Sequence, residues 1–326
     1  MRLRETLRQS YKWWKTWGTF PVLEWVHGAA LFRSGEYRLA EKFYRKGLKK
    51  HPNHLAQSCA RLDLAYCLFR QAKLVEAEQE LRHVATHSPE LREAHVRLAR
   101  LQLWQGHPLD AAWSIRRALR SVAVDEDLAT LFLTAVIENE GPWYLFEESQ
   151  DACHQVLERM GRSVAIESAL AYLRFQRGEL DDGLRTLEGL SQSSDASGET
   201  FLLLGRALLE KGDIERSRET LRSALSALSD NPRVLTMLAK SYLISGTTYN
   251  ADYARQLATE ACQRSEWLSP AAMHTLAEAF YHSGDRASAL IIASKAKEEG
   301  NRLLGSYREV RQLDQLIESL ATGSLA

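Results

Sequence analysis

Residues 198–232 read GETFLLLGRALLEKGDIERSRETLRSALSALSDNP. Phe201, Leu204 and Leu208 fall at i, i+3 and i+7, so a helix carries them on one stripe. Gly212 ends that helix, because glycine enters the left-handed conformation after a helix without a Cβ penalty. Asp213 caps a second helix, whose own stripe is Ile214, Ser217, Leu221, Ala224 and Leu225. Gly205 and Ser217 are small where the two stripes meet, which lets antiparallel helices approach closely. Asn231-Pro232 then restarts the pattern, with proline at the first helical position, where its missing N–H is no loss.

Imperfect copies of this stretch run outward in both directions. Gly178 to Gly212 and Gly212 to Gly246 are both 34 residues, and so is Ala72 to Gly106. Near the start, GEYRLAEKFYRKGLKKHP (35–52) repeats the second half of the unit, with Gly28 at the small-residue position before it. Ala72 stands where the other copies place glycine, a departure that bears on that turn's geometry. Gly106 to Gly178 is 72 residues, four more than two periods, and the excess lies near Pro142-Trp143-Tyr144-Leu145-Phe146. That aromatic insertion either plugs a kink or presents a contact surface. The loop TTYNAD (247–252) delays the second helix of the next copy. The last full copy runs from Pro270 through Gly284-Asp285, and a final helix is expected over about 301–321. No strand-like alternation appears.

This spacing resembles the tetratricopeptide repeat. The resemblance implies an all-α solenoid, a right-handed superhelix of about eight antiparallel helix pairs with a C-terminal capping helix and one continuous core. The expected domains are an arm at 1–20, the array at 21–300, and a capping helix with a frayed tail at 301–326.

Charge is distributed unevenly. Residues 1–50 hold twelve Lys/Arg against four Asp/Glu, and the remainder holds 30 against 38. Such polarity points to an acidic surface or partner near the N-terminus. Residues 2–17 place Leu3, Leu7, Tyr11 and Trp14 on one helical face, with Arg4, Arg8, Lys12, Trp13, Lys15 and Trp17 around them. Two uses stay open for this arm: a cap burying its rings on the first repeat, or contact with anionic membrane or an acidic partner. No secretory signal or membrane span is read, because Glu24, His27 and Pro21 interrupt the most apolar window. Four scattered cysteines without a CxxC pair fit a reducing compartment. The expected location is cytoplasmic, with peripheral contact at the inner membrane through the arm.

Chemistry is sparse. His83 and His87 lie i, i+4, but no third metal ligand is evident and HExxH is absent. His274 and His282 are two turns apart, and two histidines alone specify no reaction. There is no phosphate loop, nucleophile elbow or supported carboxylate pair. The chain is read as non-enzymatic, with no cofactor and no metal.

In the tetratricopeptide family the first helices line a concave groove through positions two, five, nine and twelve. Carried over, these positions give Trp25, Ala29, Phe32, Leu62, Tyr66 and Phe69, an apolar floor suited to an amphipathic helix or extended peptide. That floor is equally open to the arm or to a second copy of the chain. Further along they give Arg100, Tyr172, Phe175, Arg206 and Lys240, where arginines with aromatics could grip a carboxylate-bearing peptide. Ala29 and Tyr66 stand where chaperone-tail binders carry their clamp, so that partner is not expected. Nucleic acid is not expected either, because the later array is acidic. The resemblance implies a protein-binding scaffold, and bacterial scaffolds of this type often serve envelope or polysaccharide assembly. The alternative is a regulatory or sensor module that changes shape on binding a peptide or small ligand. Oligomeric state is not legible.

Overall fold

The structure is a computed structural model, and it describes residues 22–139, 143–246, 249–305 and 307–322. The arm residues Arg4, Arg8, Lys12, Trp13, Trp14, Lys15 and Trp17 lie outside the described residues, as does Pro142. Among the described residues every regular element is an α-helix. In chain order these are α1 (Leu23–Arg33), α2 (Tyr37–Lys50), α3 (Gln57–Phe69), α4 (Leu74–His87), α5 (Arg92–Trp104) and α6 (Pro108–Ala118). Then follow α7 (Glu126–Asn139), α8 (Trp143–Met160), α9 (Val164–Gln176), α10 (Leu180–Ser191), α11 (Gly198–Lys211) and α12 (Ile214–Ala227). The last five are α13 (Pro232–Leu243), α14 (Ala251–Arg264), α15 (Pro270–His282), α16 (Arg286–Arg302) and α17 (Val310–Thr322). The fold is thus the expected all-α arrangement of helix pairs.

The pair α11–α12 forms as its residues dictate. Gly212 sits at φ 88°, and Asp213 N–H reaches back to the Leu208 carbonyl at 2.9 Å, closing the end of α11. The Asp213 side chain caps α12 by accepting from Arg216 N–H, and Asn231 caps α13 by accepting from Arg233 N–H. Ser217 Oγ donates to the Gly205 carbonyl at 2.7 Å, so the two small residues are where the backbones meet. A Cβ on Gly205 would stand 2.7 Å from Leu221 Cγ. Leu204, Leu208, Leu221 and Ala224 are buried, and Phe201, Ile214 and Leu225 half-buried. A further cap was missed in the sequence: Ser197 and Thr200 form a capping box at the start of α11.

The chain divides into two compact units, Met1–Leu101 and Gln102–Ala326. In the first, α1 packs on α2 and α3, α2 on α3, and α3 on α4. In the second, α7, α9, α11, α13 and α15 lie side by side, and each carries the following helix against it. The second unit also holds a long-range closure. Trp104 Nε1 donates to the Arg264 carbonyl at 2.8 Å, and the His107 ring lies 3.3 Å from the Leu268 carbonyl. Beside these bonds, Glu266 and Trp267 hold left-handed backbone at φ 52° and 60°.

Two irregularities resolve differently from expectation. The extra residues of the fourth copy lengthen α8 to 18 residues. Leu145 is buried in the core, while Tyr144 packs on Trp113 with Arg116 over both rings. At the far end, the described residues of 303–309 are not helical. Leu303 is extended and Gly305 left-handed, so α16 stops at Arg302 and α17 begins only at Val310. Among the described residues, no helix is long and apolar enough to cross a membrane.

Candidate partner-binding surface

The carried-over groove positions separate into three environments. Trp25, Leu62, Tyr172 and Phe175 are buried and therefore do not present a floor to a partner, which corrects the sequence reading. Trp25 turns inward because Gly47 leaves room for its indole. Its Nε1 donates to the Tyr44 carbonyl at 3.4 Å, and His54 meets it edge-on at 5.2 Å. Tyr172 donates to Glu210 at 2.8 Å and stacks with Phe175 at 6.1 Å. Burial first, and Glu210 beside it, hold the Tyr172 phenol above its ordinary pKa despite Arg206.

A second set stays accessible in the first unit. Phe32, Tyr66 and Phe69 are half-buried, and Tyr37 joins them from the start of α2. Ring centroids are 5.1 Å apart for Phe32–Tyr66, 5.9 Å for Phe32–Tyr37 and 6.5 Å for Tyr66–Phe69. These are favourable tilted and edge-to-face contacts. Exposed Arg70 lies 4.9 Å over Tyr37 and 6.0 Å from Tyr66, and donates to the Tyr66 hydroxyl at 3.3 Å. No carboxylate pairs with it among the described residues. Tyr37 and Arg70 escaped the sequence reading because both lie off the positions counted along first helices. A signal was present in the repeated steps Leu31-Phe32-Arg33 and Leu68-Phe69-Arg70, 37 residues apart. Arg100 is exposed on α5.

The third set, in the second unit, is engaged by the chain itself. Arg206 stacks 5.3 Å over Tyr172 and pairs with Glu210 at 3.3 Å. Arg233 bridges Glu138 of α7 and Glu199 of α11, the latter at 2.8 Å. Lys240 holds both oxygens of Glu309, at 2.7 and 2.6 Å. Tyr307 donates to Glu309 at 3.2 Å, which leaves its oxygen to accept from His274 Nδ1, 3.1 Å away. Burial alone would raise the Glu309 carboxyl, but His274 and Lys240 outweigh it and hold the group well below the usual range. Beside this network is a cleft of about 450 Å³ lined by Phe146, Leu173, Gln176, Arg177, Glu210 and Arg308, among others.

His83 and His87 stack at 4.1 Å, and among the described residues no group of three His, Cys, Asp or Glu is placed to hold a metal. His274 is buried against Tyr307, and His282 is exposed. Burial pushes the Cys67, Cys153 and Cys262 thiols up to about 12, so they remain protonated and poorly nucleophilic at neutral pH.

Comparison with known proteins agrees with this architecture. A family model described as tetratricopeptide repeat matches residues 26–90 and 168–232. No curated protein sequence matches the chain. Among solved structures, the chain is similar to a tetratricopeptide repeat protein from Parabacteroides merdae, with a TM-score of 0.52 and 13% identity over 90% of this chain and 96% of that one. It is similar to the Cut9–Hcn1 hetero-tetramer of APC/C, with a TM-score of 0.65 and 9% identity over 92% of this chain. Yeast Tom70 gives a TM-score of 0.51 and 12% identity over 93% of this chain. The chain spans only 63% of each of these last two proteins. At such identities the likeness is one of fold. Tetratricopeptide repeats generally mediate protein–protein interaction and are generally non-catalytic. The repeat is thus matched in two separate segments, and the helix-pair fold of tetratricopeptide-repeat structures continues beyond them.

Proposed function

We propose that the chain is a protein-interaction scaffold that docks a segment of another protein on the aromatic face of its first unit. The observation that carries this reading is the cluster of Phe32, Tyr37, Tyr66 and Phe69, half-buried and topped by Arg70. Rings held by one another present large rigid area at little entropic loss, and a cation without a carboxylate partner favours an acidic segment. Residues 22–101 carry 14 Lys/Arg against 9 Asp/Glu, which favours the same sign of partner. The basic arm is a poor occupant of this face for the same reason, so its proposed use is contact with anionic membrane.

Pull-downs from lysate with the full chain, Tyr66→Ala and Arg70→Glu test the docking face. Loss of the same bound proteins by both variants, at unchanged circular dichroism, is the expected result. Undiminished binding by both variants sinks the reading. Sedimentation with anionic vesicles, with and without residues 1–19, tests the arm separately.

A further inference from the structure

The short segment between α16 and α17 does more than connect two helices. Tyr307 is buried, and it sits where Gly300 leaves its own side-chain position empty, 3.1 Å from Tyr307 Cβ. Glu309, two residues on, turns to the same surface, the side-by-side face of the first helices of the second unit. There it takes Lys240 of α13 with both oxygens. Arg308 between them is exposed and borders the cleft next to Glu210 and Arg177.

Lys240 and Arg206 occupy the ninth residue of α13 and α11, the same step of the repeat. Arg206 finds its carboxylate four residues on in its own helix. Lys240 finds its carboxylate 69 residues away, just before the start of α17. One His274–Tyr307–Glu309–Lys240 chain of hydrogen bonds thus holds an aromatic ring and a carboxylate spaced two residues apart. The remaining ring nitrogen of His274, Nε2, is buried without a hydrogen-bond partner. An alternating ring and carboxylate, read by a pocket and a cation, is how an extended peptide is recognised.

We propose that Tyr307-Arg308-Glu309 is an internal occupant of a peptide-receptor site built from Lys240 and His274, and that a partner segment with an aromatic residue two positions before an Asp or Glu takes its place. The strap is present at the high effective concentration of a tethered ligand, in the millimolar range for short links. A partner therefore binds weakly until the strap is released. This site is distinct from the aromatic face of the first unit, and either proposal can stand without the other.

The probe is a fluorescein-labelled peptide of residues 305–312, GSYREVRQ, added to the full chain. Glu309→Gln, an isosteric change, removes the charge that Lys240 holds. Amide exchange over 303–309 is expected to speed up at least tenfold in this variant, with circular dichroism unchanged. The peptide is expected to bind the variant at least tenfold more tightly than the parent chain. A peptide carrying glutamine at its glutamate should lose that gain, and Lys240→Gln added to the variant should abolish it. The proposal is overturned if the strap is released by exchange but the peptide binds no better. It is equally overturned if Glu309→Gln leaves the exchange of 303–309 unaltered, because the pair then does not hold the strap. Should Glu309→Gln fail to fold, Lys240→Gln in the parent chain serves for the exchange measurement.

Discussion

Replacing Ala72 with glycine should stabilise the first unit. Ala72 lies at φ 57° in the turn between α3 and α4, at the step where Gly212 lies at φ 88° between α11 and α12. The two turns close with the same bonds. Lys73 N–H meets the Leu68 carbonyl at 3.0 Å, and Asp213 N–H meets the Leu208 carbonyl at 2.9 Å. Alanine therefore adopts a glycine conformation, which costs an L-residue about 1–2 kcal/mol. The Ala72 methyl is exposed, so its removal forfeits no packing. Glycine gives back about 0.5–1 kcal/mol through its greater freedom in the unfolded chain. The net gain expected for Ala72→Gly is about 0.5–1 kcal/mol. The reciprocal change, Gly212→Ala, meets no atom within 4 Å and should lose about 1 kcal/mol from backbone strain alone. Because helical repeats open in segments, the assay is native-state amide exchange of α3 and α4 for the first variant and α11 and α12 for the second. A neutral or destabilising Ala72→Gly would refute the reasoning, whatever Gly212→Ala does, since both rest on one torsion.

Other perturbations separate core from surface. Leu204→Ala opens a cavity among buried residues and should lower stability by about 2–5 kcal/mol by urea denaturation, whereas Tyr66→Ala should stay well below that. Equal losses would place Tyr66 in the core and remove it from the docking face. Gly205→Ala thrusts a methyl against Leu221 and should destabilise by about 1–3 kcal/mol in the same assay, while Gly189→Ala, which meets nothing within 4 Å, should not. Since the folded Glu309 carboxyl lies below its ordinary value of 4.5, its stabilisation is complete above that pH and fades as pH falls through the folded value. Glu309→Gln should accordingly flatten the acid limb of stability below about pH 4.5, and a parallel downward shift of the whole curve would argue against that origin.

The repeat itself was plain in the residues. Helix ends were marked by Gly212, Asp213 and Asn231, and the close contact by Gly205 and Ser217, because these depend on neighbours within a few residues. The candidate surface was legible only in part. Position within a first helix predicts which way a side chain points, but not whether a neighbour covers it. Trp25 and Tyr172 sit at such positions and are buried, one beneath the space left by Gly47 and the other beneath Arg206. Tyr37 completes the accessible cluster from a second helix, where the rule did not look. The pairing of Lys240 with Glu309 joins residues 69 apart and has no local signature in either sequence segment. α17 starts late because the chain leaves the helix at extended Leu303 and turns at left-handed Gly305, a conformation glycine enters freely.

The bonds from Trp104 and His107 to the carbonyls of Arg264 and Leu268 span about 160 residues of chain. A string of repeats linked only to nearest neighbours can gain or drop a unit at little loss, and its segments melt one after another. Joining two distant turns changes that arithmetic. Deleting or duplicating any helix pair between them shifts one end past the other by the length of a repeat, so this part of the gene cannot lengthen or shorten without breaking the join. The same join adds contacts of large sequence separation, and the loop between them must close before they form. Repeat slippage between α6 and α14 would therefore cost this join, whereas slippage outside it would not.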